Sequence, residues 1–105
     1  MIRELEPLAF LEAYTAEKDN AVIVDVRTPA EIAEESIDGH IAINFQSPDF
    51  PTKVLELPKD KTLFIYCRSG NRSGQACRYL EMKGYENLVN LKGGMLAWMQ
   101  TDFED

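Results

Sequence analysis

The run Thr62-Leu-Phe-Ile-Tyr66 passes directly into Cys67-Arg-Ser-Gly-Asn-Arg-Ser73, and that in turn into Gly74-Gln-Ala-Cys-Arg-Tyr-Leu-Glu-Met-Lys83. The first piece is apolar and rich in strand formers, the pattern of a strand covered on both faces. The last predicts a helix from Ser73 to Lys83, ended by Gly84 in the C′ position, with Ala76, Cys77 and Leu80 on one face. A buried strand, a glycine-containing loop and a helix in this order are one half of a β-α-β unit. The neighbours supply the rest. Ala21–Val26 and Leu88–Leu91 read as two more buried strands, and Ile41–Phe45 as a short one. Pro7–Ala16 predicts a helix with Leu8, Leu11, Phe10 and Tyr14 inward, and Thr28-Pro-Ala-Glu31 matches a capping box with proline at the first helical position. Ser47-Pro48 opens a turn or helix running to about Leu57, and Gly93-Gly94 leads into a last helix bearing Met95, Leu96, Trp98 and Met99. Alternation of this kind defines an α/β fold, a mostly parallel sheet with helices on both faces.

The chain is 105 residues long, which predicts a single domain spanning 1–105. Its apolar and charged fractions, 45% and 28%, exclude a disordered or fibrous chain. No apolar stretch is long enough to cross a bilayer, and Met1–Pro7 has neither the basic nor the apolar region of an export signal. With two cysteines, no disulfide framework is expected, and the expected compartment is the reducing cytoplasm. A net charge of −7 argues against nucleic acid or an anionic membrane as partner. From Lys59 to Lys92, however, seven basic residues stand against three acidic ones, a local +4 that leaves −11 for the remainder. That stretch is either a solvated face or a place where an anion is drawn in, and it contains Cys67.

The loop Cys67–Ser73 lies where a strand ends and a helix begins, the edge at which α/β proteins bind ligands. Gly70 and Asn71 tolerate positive φ, so the backbone is expected to curl and turn its N–H groups inward. Those donors, the helix N-terminus and the charges of Arg68 and Arg72 all favour a thiolate, which makes Cys67 the candidate nucleophile.

Four segments resemble the rhodanese family of sulfurtransferases: Val24-Asp-Val-Arg-Thr-Pro-Ala-Glu31, the Ile-x-Gly/Gly-His-Ile region around Ile37–Ile41, Cys67–Ser73 and Leu91-Lys-Gly-Gly-Met-Leu-Ala-Trp98. The likeness covers nearly the whole chain. It implies a five-stranded parallel sheet flanked by helices, and a persulfide on Cys67 stabilised by loop N–H groups. The family often reads Gly-His-Ile-x-Gly-Ala-x-Asn where this chain has Ser36-Ile-Asp-Gly-His-Ile-Ala-Ile-Asn44, so no role is transferred to His40.

Cysteine-dependent phosphatases place an arginine six residues after the cysteine. Here that position is Ser73, and the arginine comes one place early at Arg72. The tighter loop suits a terminal sulfur better than a phosphoryl group. Within it the N–H groups of Arg68, Ser69, Gly70, Asn71, Arg72 and Ser73 are the expected cradle. Arg68 and Arg72 are either donor-anion ligands or solvated surface, and Ser73 is expected to cap the helix rather than touch substrate. Asp25, Arg27 and Glu31 read as an ion-pair network with the capping box, and Cys77 as core.

The activity expected is two-step sulfur transfer: a small donor such as thiosulfate loads Cys67, and a thiol or a partner protein's cysteine unloads it. The alternative is a relay module that takes sulfur only from a docked protein. A third possibility, a redox pair of Cys67 with Cys77, requires close Cα atoms. No metal or organic cofactor is implied, since two cysteines and one histidine lack zinc-site spacing. A monomer with a shallow, open site is expected.

Overall fold

The computed structural model describes residues 1–103. Five strands form one sheet: β1 (Ile2–Leu5), β2 (Ala21–Asp25), β3 (His40–Ala42), β4 (Thr62–Tyr66) and β5 (Leu88–Leu91), in the order β1-β5-β4-β2-β3. Every neighbouring pair is parallel. The helices are α1 (Pro7–Ala16), α2 (Pro29–Glu34), α3 (Phe50–Lys53), α4 (Asn71–Met82) and α5 (Gly94–Met99), with 3-10 turns at Lys18–Asn20 and Val54–Glu56.

Side chains alternate across β4 and divide the core. Leu63, Ile65 and Cys67 face a cluster completed by Phe50, Val54, Ala76, Cys77 and Leu80. Phe64 and Tyr66 face the other, with Phe10, Val89, Leu91 and Met95. Both sides of the central strand are thus buried, which is why its sequence shows no polar alternation. β2 and β4 are neighbours whose next connections diverge, to β3 on one side and β5 on the other. Such a divergence leaves a crevice at the strands' carboxyl ends, and Cys67 follows the last residue of β4 directly.

Several expectations are corrected. β1 is a further strand, beyond those the residue pattern predicts. It is a four-residue edge strand whose Ile2 packs into one cluster and Leu5 into the other. β3 spans His40–Ala42 rather than Ile41–Phe45, although Ile43 and Phe45 still donate backbone hydrogen bonds to Asp25 and Val26. α4 begins at Asn71, two residues ahead of Ser73. In α1 it is Phe10, Ala13 and Tyr14 that pack on the core, while Leu8 is exposed. Leu96 and Met99 of α5 are exposed as well. The capping box forms as read, with Thr28 Oγ1 accepting from the Glu31 N–H and Glu31 Oε1 accepting from the Thr28 N–H. Gly84 ends α4 at φ +95°, the N–H of Tyr85 reaching back to Leu80 O.

Candidate functional site

Cys67 leaves β4 with its side chain fully buried, and its Sγ gathers several donors. The N–H of Gly70 lies 3.1 Å from it, the N–H of Ser73 3.4 Å and the Ser73 hydroxyl 3.3 Å. Burial alone pushes the Cys67 thiol up. The Ser73 hydroxyl and the N–H groups of Ser73, Gly70 and Ser69 outweigh it, so the net displacement is downward from the ordinary thiol value.

The loop is shaped from its outer side. Met95 N–H donates to Cys67 O at 2.9 Å and Leu96 N–H to Arg68 O at 3.0 Å, so the start of α5 grips two loop carbonyls. That contact requires Gly94, where an added Cβ would stand 2.5 Å from the carbonyl carbon and oxygen of Arg68. Gly70, at φ +98°, makes the turn into α4, and a Cβ on it would press to 3.3 Å from Leu91 O. A peptide unit's N–H and C=O point in opposite directions, so anchoring carbonyls outward leaves N–H groups facing the sulfur.

The cradle is narrower than the expected span from Arg68 to Ser73, with donation to Sγ from Gly70 and Ser73. Asn71 does not use its tolerance of positive φ. It is helical and exposed, and its Oδ1 accepts from Gln75. Ser73 is not the helix cap: Gly70 occupies that position, and the Ser73 hydroxyl is freed to reach the sulfur. The site is not the shallow opening expected either, since the sulfur is covered. Beside it a groove of about 270 Å³ is lined by Arg27, Glu31, Arg68, Met95, Leu96 and Met99, among others.

Arg72 turns to α2, both terminal nitrogens 2.9 Å from the Glu31 carboxylate. Those bonds hold Glu31 down to about 2, with the Thr28 contacts assisting. Arg68 is exposed and in no ion pair among the described residues. Arg27, itself buried, makes a forked contact with Asp25, Nη2 at 2.8 Å, as the ion-pair reading anticipated. His40 Nδ1 lies 2.8 Å from Ile37 O, a local turn contact. Cys67 and Cys77 are both free thiols, and burial pushes Cys77 up to about 12. Among the described residues no cluster of three or more His, Cys, Asp or Glu forms, and no helix is long and apolar enough to cross a membrane. Sequence reasoning missed Asn90, a buried polar residue on β5 behind the loop. Its one signal was an amide amid Leu88-Val-Asn-Leu91.

A parallel α/β sheet with a donor-ringed cysteine at the end of its central strand defines a class of cysteine-centred domains. The chain belongs to the rhodanese-like domain family, whose model matches residues 10–101. It is 42% identical over 98 residues to a sulfurtransferase of Allochromatium vinosum, covering 93% of this chain and 89% of that one. It is 38% identical over 97 residues to the putative sulfurtransferase YtwF of Bacillus subtilis, covering 92% and 90%. The crystal structure of a rhodanese-like domain protein from Staphylococcus aureus superimposes with a TM-score of 0.78 at 31% identity, covering 91% and 90%.

Proposed function

We propose that the protein is a sulfurtransferase that carries a sulfane sulfur as a persulfide on Cys67. The observation that carries this reading is the convergence of the Gly70 N–H, the Ser73 N–H and the Ser73 hydroxyl on one sulfur atom. The relatives named sulfurtransferase support the same reaction class. In the first step the Cys67 thiolate attacks the outer sulfur of the donor. A new S–S bond forms, the donor's own bond to that sulfur breaks, and the electron pair leaves with the remaining anion, sulfite where thiosulfate is the donor. In the second step an acceptor thiolate attacks the terminal sulfur, and the Cys67–sulfur bond breaks to return the thiolate. The ring of donors stabilises the negative charge on Cys67 before loading and after release.

Arg68 is the cation proposed to meet an anionic donor, because Arg72 is already paired with Glu31. Intact mass after incubation with thiosulfate tests the reading. One added sulfur atom, removable by cyanide, is expected for the wild type and for Cys77→Ser, and none for Cys67→Ser. A folded wild type that gains no sulfur from thiosulfate or from a small persulfide overturns it.

A further inference from the structure

Asn90 stands inside β5, in register with Glu4 of β1 on one side and Ile65 of β4 on the other. An amide buried in an apolar strand is costly unless its hydrogen bonds are made. Its Nδ2 lies 3.1 Å from each Glu4 carboxylate oxygen and 3.2 Å from Gly70 O. Its Oδ1 is buried without a partner. The amide is therefore turned to place its donor, with its acceptor left unsatisfied. The flipped amide would aim Oδ1 at three acceptor oxygens, so Glu4 and Gly70 together fix the orientation.

Gly70 is where this orientation matters. Its carbonyl accepts from Asn90 and, at 3.0 Å, from the N–H of Gly74, while its own N–H donates to Cys67 Sγ at 3.1 Å. Gly70, at φ +98°, has no Cβ to define its conformation, so the bonds on its carbonyl from Asn90 and Gly74 help to define the turn from which its N–H reaches the sulfur. We infer that Asn90 is a positioning residue for Cys67. Glu4, on the edge strand, orients its amide, giving a chain from the Glu4 carboxylate through Asn90 and the Gly70 peptides to the sulfur. The other ionisable groups around this chain include Arg68 beside Cys67, Arg72, whose charge reaches Cys67 and which is paired with Glu31, and Cys77, Arg78 and Glu81 of α4.

The inference rests on Cys67 as the reactive thiol of the proposed function, but it is read from that thiol's acidity rather than from turnover. A wild type that fails to load sulfur counts against the function alone; a positioning role is decided by the titration. The measurement is the pH dependence of iodoacetamide alkylation at Cys67, resolved by peptide mass, with circular dichroism to establish folding. Asn90→Leu is expected to lower the thiolate-to-thiol ratio at fixed pH about tenfold.

Glu4→Leu distinguishes positioning from simple electrostatics by sign. Losing a negative charge by itself favours a thiolate, whereas losing the group that orients Asn90 disfavours it. A lower ratio in Glu4→Leu, with Glu4→Gln at or above the wild type because it keeps an acceptor, supports the inference. An unchanged or higher ratio in Glu4→Leu overturns it, as does an unchanged ratio in a folded Asn90→Leu. Glu4 is exposed on an edge strand, so its variants decide the matter even where Asn90→Leu fails to fold.

Discussion

Removing the Ser73 hydroxyl isolates one donor of the sulfur cradle. In Ser73→Ala the Gly70 and Ser73 N–H groups keep their places at 3.1 and 3.4 Å, because both belong to the backbone. Only the 3.3 Å contact from the hydroxyl is lost. A hydrogen bond to a charged group contributes about 1.5–3 kcal/mol. The lower end applies here, since sulfur is a diffuse acceptor and other donors remain. About 1.4 kcal/mol corresponds to a tenfold smaller thiolate-to-thiol ratio and a Cys67 pKa about one higher. Thiolate ultraviolet absorbance against pH, compared with the wild type, reads this directly. The loading rate with thiosulfate below that pKa should fall by about the same factor.

The stability consequence has a definite sign. Cys67 is more acidic in the folded protein than as an ordinary thiol. Its ionisation therefore contributes stability that is complete above the unfolded thiol value of about 8.5 and vanishes as pH falls through the folded value. Ser73→Ala should accordingly cost about 1.4 kcal/mol more in urea unfolding well above that range than at mildly acid pH. A titration unchanged in the folded variant would refute the role assigned to the hydroxyl.

Glu31→Gln should remove one source of acid sensitivity. Glu31 is held at about 2 against an ordinary 4.5, so its contribution is present above 4.5 and lost as pH falls toward 2. Urea midpoints across that window should flatten in the variant, which should also be about 1 kcal/mol less stable at neutral pH. Gly94→Ala forces a methyl against the Arg68 carbonyl and places alanine at φ +59°. Thermal unfolding should show a loss of about 1–3 kcal/mol or more, and loading should fall with it. Thiosulfate KM at low salt should rise about tenfold in Arg68→Gln, for about 1.4 kcal/mol of lost anion attraction, and shift back as salt is added. Arg72→Gln should act mainly on stability; the opposite ranking of the two variants would put Arg72 on the donor. Aryl phosphate hydrolysis by the wild type should not exceed that of Cys67→Ser, and cysteine-dependent hydrolysis would overturn the preference for sulfur.

Local signals in the chain were strong where a single residue type had one physical use. Leu63 to Tyr66 had to be a buried strand, Thr28 and Glu31 a capping box, and Gly84 a helix stop. β1 escaped because four residues with Arg3 and Glu4 in the middle look like solvated chain, and only the pairing with Leu88–Leu91 makes them a strand. Ser73 looked like a cap because serine before a helical run usually is one. The positive φ of Gly70 starts the helix earlier and turns that hydroxyl to the sulfur. The Arg72–Glu31 pair spans 41 residues of sequence and the Asn90–Glu4 contact 86. Such contacts follow from strand order, which no local pattern carries.

Serine at position 73, where cysteine-dependent phosphatases carry an arginine, has a physical consequence that reaches beyond one contact. A phosphoryl group would bring three oxygens outward from the sulfur, and it needs donors aimed past Sγ and a cation above it. In this loop Gly70 and Ser73 aim at Sγ itself. The neighbouring arginine is turned away to close a contact between α4 and α2. The donors therefore stabilise charge on the cysteine sulfur, where it resides in the thiolate and where it would return on unloading of the proposed persulfide. The same arrangement explains why the carbonyl anchors matter: each bond from Met95, Leu96 or Asn90 to a loop carbonyl removes an acceptor from the concave side. The tightness of the ring is in this sense determined from behind, by α5 and β5, as much as by the residues of the loop.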